Sequence, residues 1–291
     1  MILSYFPGCT LKTKAKSLEI SALASLAELG VVLEELPSWN CCGAVYSLAK
    51  DDLIHQLAPV RILMKARDQG SERLITICSM CYNTLARANL MMRQDEKRRK
   101  TINLFMEEEK DYAGEVEVVH LLSFLRDDIG WDRIREKTKR PLNHLKIAPY
   151  YGCTLHRPRE VGIEPPGQVA LMTALFEALG ASVLDFAAAD LCCGSYQTLV
   201  NPEAAENARD GILEEAMKIG AEALVLSCPL CDYNLRRKYR RDAGSESDRP
   251  ALPILYFTQL LSYSLGLGTE TCGFAGDDAS FLKLLGREKA S

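Results

Sequence analysis

Long apolar runs are missing from this sequence. No window approaches the roughly 18 consecutive apolar residues of a spanning helix, the best runs being as short as residues 223–227, so direct membrane insertion is not expected. A basic excess is missing too: 35 Lys and Arg stand against 39 Asp and Glu, for a net charge of −4. That removes the general electrostatic footprint of a nucleic-acid binder. Local basic clusters at residues 93–100 and 236–241 read as solvated helix faces. The opening MILSYFPGCT lacks the basic segment, apolar core and small-residue cleavage site of an export signal, so a reducing, cytoplasmic setting is expected. There is no GxGxxG turn for a nicotinamide or flavin, and no closely spaced cysteine run of the cubane-ferredoxin kind. Electrons handled by this chain must come from another chain.

What the sequence has in excess is cysteine, eleven in 291 residues. A chain of this length, 47% hydrophobic and 25% charged, can bury an ample core and does not need the disulfide staples of small secreted domains. Ten of the eleven fall into two matching arrays, Cys9/Cys41/Cys42/Cys78/Cys81 and Cys153/Cys192/Cys193/Cys228/Cys231. The remaining one, Cys272, reads as an ordinary buried thiol.

The arrays sit inside an internal duplication. GSERLITICSMCYNTL at residues 70–85 aligns with GAEALVLSCPLCDYNL at 220–235, an offset of 150 residues, and a Cys-Cys-Gly follows a short apolar run in both copies. Each copy alternates short apolar runs with longer helical patterns, which is the signature of βαβ units and a parallel sheet. In the first copy strands are predicted at 2–6, 31–36 and 73–77, with helices at 17–29 and 51–68; in the second, strands at 145–150, 182–186 and 223–226, with helices at 168–179 and 202–218. The fold class is α/β, two pseudo-symmetric Rossmann-like parallel-sheet halves. The division is expected near Pro141, giving 1–140 and 141–291, with residues 90–140 forming helices that link the halves. Every cysteine of the two arrays then falls at or beyond the C-terminal end of a strand, where open α/β sheets place their ligands.

A CxxC at such a junction can bring two sulfurs to one metal, or can serve as a thioredoxin-like dithiol. The adjacent pair needs a turn to bring both sulfurs together, and Gly43 and Gly194 follow it immediately. Five thiolates exceed the four of a tetrahedral zinc site or an ordinary cubane cluster. A centre with several irons could use all five, while two zinc sites stay open as the alternative.

Cys, long gap, Cys-Cys-Gly, long gap, CxxC, present twice, resembles the cysteine-rich CCG domain. YFPGCTLKTKA at 5–15, YYGCTLHRP at 150–158 and CPLCDYNL at 228–235 resemble the cluster-bearing B chain of the heterodisulfide reductases. The resemblance implies two non-cubane [4Fe-4S] clusters, one held by Cys9, Cys41, Cys42, Cys78 and Cys81, the other by Cys153, Cys192, Cys193, Cys228 and Cys231. It implies a disulfide of the coenzyme M–coenzyme B type, or a bacterial counterpart, reduced to two thiols between them. The implied partners are a cubane iron–sulfur C subunit and a flavin-containing A subunit. The rival reading within the family is an electron-transfer subunit of a quinone- or organic-acid-linked oxidoreductase. The implied substrate is anionic, so basic residues near the arrays are its candidate contacts: Lys14 after Cys9, and His156 and Arg157 after Cys153. The first CxxC has Ser79 where the second has Pro229, a difference not expected to affect ligation.

Overall fold

The apolar runs of both copies become parallel strands. The computed structural model describes residues 1–44, 53–106, 110–143, 145–165, 168–237, 252–274 and 279–285. In the first half β1 (Ile2–Tyr5), β2 (Val32–Glu35), β3 (Arg73–Thr76) and β4 (Glu117–His120) form a parallel sheet in the order β2-β1-β3-β4. In the second half β5 (Lys146–Tyr150), β6 (Ser182–Val183), β7 (Ala223–Leu226) and β8 (Ile254–Tyr256) repeat it as β6-β5-β7-β8. Position in the sheet explains composition. The inner strand β7 is buried throughout, whereas the edge strand β2 leaves Val32, Glu34 and Glu35 exposed.

Helices cover both sheets. Lys16–Glu28 follows β1, Leu57–Asp68 precedes β3, and Ser79–Gln94 starts directly after Cys78; in the second half Leu171–Ala178, Pro202–Lys218 and Pro229–Leu235 take these places. Local chemistry sets their starts: Asn201 caps the backbone N–H of Ala204, with Pro202 in the first helical turn. Of the helix expected at 51–68, residues 51 and 52 lie outside the described ones, as do 238–241 of the second basic cluster.

One expectation is corrected. Residues 90–140 do not form helices alone, because Glu117–His120 pairs with β3 as a fourth strand. Only four residues long, with Glu117 exposed at its start, it is too short to give a clear alternating signal. Its counterpart β8, three residues long, escaped notice for the same reason. All strands of the first sheet precede residue 141 and all strands of the second follow it.

The halves also exchange helices. Phe257–Ser264, which follows β8, packs on Lys16–Glu28 of the first half, where Ser21 Oγ donates to Thr258 Oγ1 at 2.7 Å in a buried contact. Reciprocally, Leu121–Phe124 and Trp131–Lys137, which follow β4, pack on Leu171–Ala178 of the second half.

Candidate metal centres

The order β2-β1-β3-β4 reverses between β1 and β3, and open sheets of this kind hold ligands outside the C-terminal strand ends at that point. Cys9 follows β1, Cys41 and Cys42 follow β2, and Cys78 follows β3. The second half places Cys153, Cys192/Cys193 and Cys228 identically. Gly8 (φ +73°) and Gly152 (φ +66°) let the loops after β1 and β5 press onto the following CxxC. A Cβ at Gly8 would lie 2.6 Å from Cys81 Sγ, and one at Gly152 would lie 3.0 Å from Cys231 Sγ. No larger residue fits there without displacing a cysteine.

Each array has an outer and an inner edge. Cys9, Cys41 and Cys192 are exposed and Cys153 is partly so, while Cys42, Cys78, Cys81, Cys193, Cys228 and Cys231 are buried. Cys9 Sγ lies 3.7 Å from Cys41 Sγ, and Cys42 Sγ lies 3.6 Å from Cys81 Sγ. Such crowding divides the thiols. Hydrogen bonds from Cys41 and Cys81 hold Cys42 well below the ordinary thiol range and push those two neighbours up. In the second array a bond from Cys153 brings Cys192 down to about 6, helped by the Gly194 N–H and the Arg157 charge, and Cys193 is lowered chiefly by Cys231. Thiolate character at Cys42, Cys192 and Cys193 is what metal ligation requires.

None of the eleven cysteines forms a disulfide. Among the described residues no group of three or more His, Cys, Asp or Glu side chains converges as a single ion would require. A tetrahedral zinc site takes four donors about 2.3 Å from one centre, and each array offers five. A cluster distributes its thiolates over several irons, so five soft donors backed by a glycine cradle in each half fit it better than a lone ion.

The arrays meet inside the protein. Ser79 Oγ, inside the first CxxC, donates to the Ser227 carbonyl and lies 2.9 Å from both that oxygen and Ser227 Oγ, next to Cys228. Both serines are fully buried. Asn83 Nδ2, two residues beyond Cys81, donates to the carbonyls of Thr154 (2.8 Å) and Arg157 (2.7 Å), fastening the loop after Cys153 to the first half. Tyr196, three residues beyond Cys193, reaches the other way: its hydroxyl lies 3.4 Å from the Ala44 carbonyl and 3.6 Å from Met80 Sδ. Sequence reasoning noted Ser79 only as a difference from Pro229 and passed over Asn83 and Tyr196. The signal was available as breaks in the repeat, Ser79 facing Pro229 and Tyr196 facing Val45 in the alignment.

The candidate substrate cations are placed differently from one another. Lys14 is exposed. The His156 ring turns inward, 5.1 Å edge-on to Tyr151 and 3.8 Å from Glu164 Oε2, and burial lowers its pKa. Arg157 is half exposed and pairs with Asp190 Oδ2 at 3.1 Å. Neighbouring Lys12 bridges Glu19 and Glu35 at 2.7 and 2.6 Å. Carboxylates of the chain itself already engage Lys12 and Arg157.

Comparison with known proteins agrees with this geometry. The profile of the CCG cysteine-rich domain matches residues 3–86 and 147–236. The 8-methylmenaquinol:fumarate reductase membrane anchor subunit of Wolinella succinogenes is 32% identical over 93% of this chain and 94% of its own length. The B chain of the ferredoxin/F(420)H(2)-dependent CoB-CoM heterodisulfide reductase of Methanosarcina acetivorans is 27% identical over 93% of this chain and 91% of its own. The crystal structure of a hypothetical protein from Helicobacter pylori shares the fold with a TM-score of 0.73 at 15% identity, covering 94% of this chain and 51% of that one.

Proposed function

The chain belongs to the cysteine-rich CCG domain family, a family of redox proteins, and we propose that it is the cluster-bearing subunit of an oxidoreductase complex that reduces a disulfide to two thiols. The observation that carries this reading is the Ser79–Ser227 contact, which joins the inner edges of both arrays. In it, Cys9, Cys41, Cys42, Cys78 and Cys81 hold one non-cubane [4Fe-4S] cluster, and Cys153, Cys192, Cys193, Cys228 and Cys231 hold the other. Two such groups supply one-electron chemistry twice over, matching the two electrons a disulfide takes up. The duplicated units are residues 1–140 and 141–291.

The chain's own residues supply position and charge. Exposed Cys9, Cys41 and Cys192 leave each centre open to solvent on one edge, whereas the buried serine pair keeps the edge between the arrays dry. Lys14 and Arg157 serve as contacts for an anionic ligand, Arg157 after release from Asp190; His156, enclosed by Tyr151 and Glu164, joins them only by turning outward. Electrons arrive from partner chains, by resemblance a cubane iron–sulfur C subunit and a flavin-containing A subunit. Among the described residues no helix is long and apolar enough to cross a membrane.

A second reading, electron transfer in a quinone- or organic-acid-linked oxidoreductase, is favoured by two observations. The 32% identical relative belongs to a quinol-linked fumarate reductase, and the engaged cations Lys12 and Arg157 leave less positive charge for an anionic disulfide. The complex that copurifies anaerobically with this chain tests both. Release of two thiols per anionic disulfide supports the first reading, and quinol oxidation without thiol release supports the second. Neither activity in an iron-loaded complex removes both.

A further inference from the structure

Tyr196 is not used by either reading, yet its position is unusual. It comes from the turn after Cys193, in the second half, and its hydroxyl ends against Ala44 and Met80 of the first. Ala44 lies two residues beyond Cys42, and Met80 stands between Cys78 and Cys81. The phenol therefore reaches from the Cys-Cys turn of the second array to residues that flank the cysteines of the first.

Among the described residues its bonding is incomplete. A phenol prefers an oxygen acceptor at about 2.7–2.8 Å, and among the described residues Tyr196 meets one carbonyl at 3.4 Å and one thioether at 3.6 Å. A partly buried hydroxyl with two long contacts can exchange them for a better acceptor at little cost. Burial keeps the phenol protonated above its ordinary range. It can donate and is not set up to act as a base.

We propose that the Tyr196 hydroxyl is a hydrogen-bond donor to the substrate atom that gains negative charge between the two cysteine arrays. That atom is the departing sulfur of a disulfide or the carbonyl oxygen of a quinone, the shared chemistry being an acceptor whose charge grows as electrons arrive. The assignment rests on the redox reading above. Because the bond strengthens with charge, it acts on the chemical step more than on binding. The aligned position of the first copy is Val45, which carries no hydroxyl.

Tyr196→Phe keeps the ring and removes only the donor. In the iron-loaded complex the variant should retain its iron, hold KM within about twofold and lose about tenfold to hundredfold in kcat. A readout without turnover accompanies it: pulsed electron paramagnetic resonance of the reduced protein in D2O should show an exchangeable deuteron near a cluster that is absent from Tyr196→Phe. An unchanged kcat, or a deuteron signal identical in both proteins, overturns the proposal. The rate arms for disulfide and quinol distinguish the acceptor. If the native complex turns over neither, the redox assignment fails by itself, and the deuteron signal alone decides whether the hydroxyl faces the clusters.

Discussion

Ser79 Oγ donates to the carbonyl of Ser227 across 2.9 Å, joining the residue after Cys78 to the residue before Cys228. Removing the hydroxyl leaves buried acceptors unpaired, which costs about 1–3 kcal/mol. Ser79→Ala should therefore lower the urea midpoint without changing the m-value, while both arrays keep their iron. Ser79→Pro, which copies the second CxxC, should behave alike, because the first helical turn accepts proline and the N–H lost with the hydroxyl has no partner within the helix. A midpoint unchanged in both variants would mean the contact adds nothing to the joint between halves.

Metal content tests the two five-cysteine sets. Anaerobically purified protein should hold about eight irons, two four-iron clusters by the family pattern. Cys42→Ala should halve this, and Cys193→Ala should do the same through the other array. Gly8→Ala should mimic Cys42→Ala, since its Cβ would lie 2.6 Å from Cys81 Sγ. Elemental analysis decides between iron and zinc, and stoichiometric zinc with little iron would overturn the cluster assignment.

The Arg157–Asp190 pair separates an anionic substrate from a neutral one. Arg157→Ala should raise KM more than tenfold for an anionic disulfide, a loss of about 1.5–3 kcal/mol. Asp190→Asn removes the charge that holds the guanidinium, leaving the contact to the residue 190 carbonyl, and should lower the same KM severalfold. For a quinol both substitutions should leave KM within about twofold. The sign of the Asp190→Asn effect is the discriminating measurement, because a merely structural role for the pair would move both variants in one direction.

Stability should fall in mild acid because of His120. Its ring is fully buried, with Nδ1 accepting from the Leu122 N–H at 3.2 Å and Nε2 donating to the Ile77 carbonyl at 3.0 Å, and burial lowers its pKa to about 3. The unfolded chain takes up this proton near pH 6.5 while the folded chain refuses it until about pH 3. The contribution is whole above pH 6.5 and is lost between there and pH 3, at up to about 1.4 kcal/mol per pH unit. Urea midpoints from pH 7 to pH 5 should decline less steeply in His120→Gln. Parallel declines in the two proteins would assign the acid sensitivity elsewhere.

Much of this arrangement could be read from the sequence. The strand runs at 2–6 and 223–226 and the helix at 202–218 stand within a residue of where they were expected, because their apolar periods are clear and their ends carry Gly, Asn or Pro. The cysteines followed, since a strand end is a fixed place in a parallel sheet. What was not legible depended on partners distant in the chain. Lys12 and Arg157 look like free cations until Glu19, Glu35 and Asp190 fold against them. His156 looks available until Tyr151 and Glu164 enclose it. Ser79 and Tyr196 are ordinary residues in a linear reading, and their meaning lies in contacts 148 and 116 residues away.

The exchanged helices bear on origin. Phe257–Ser264 lies on Lys16–Glu28, and Leu121–Phe124 lies on Leu171–Ala178, so each half lends its closing helix to the other. Two separate half-length chains related by a twofold axis would make the same pair of contacts, with each covering the apolar face its neighbour leaves bare. Fusion of such a dimer into one polypeptide would leave this packing intact while freeing the two copies to diverge. The differences between the copies, Ser79 against Pro229 and Tyr196 against Val45, are then what an ancestor with identical subunits could not have had, a distinct role for each side of one site.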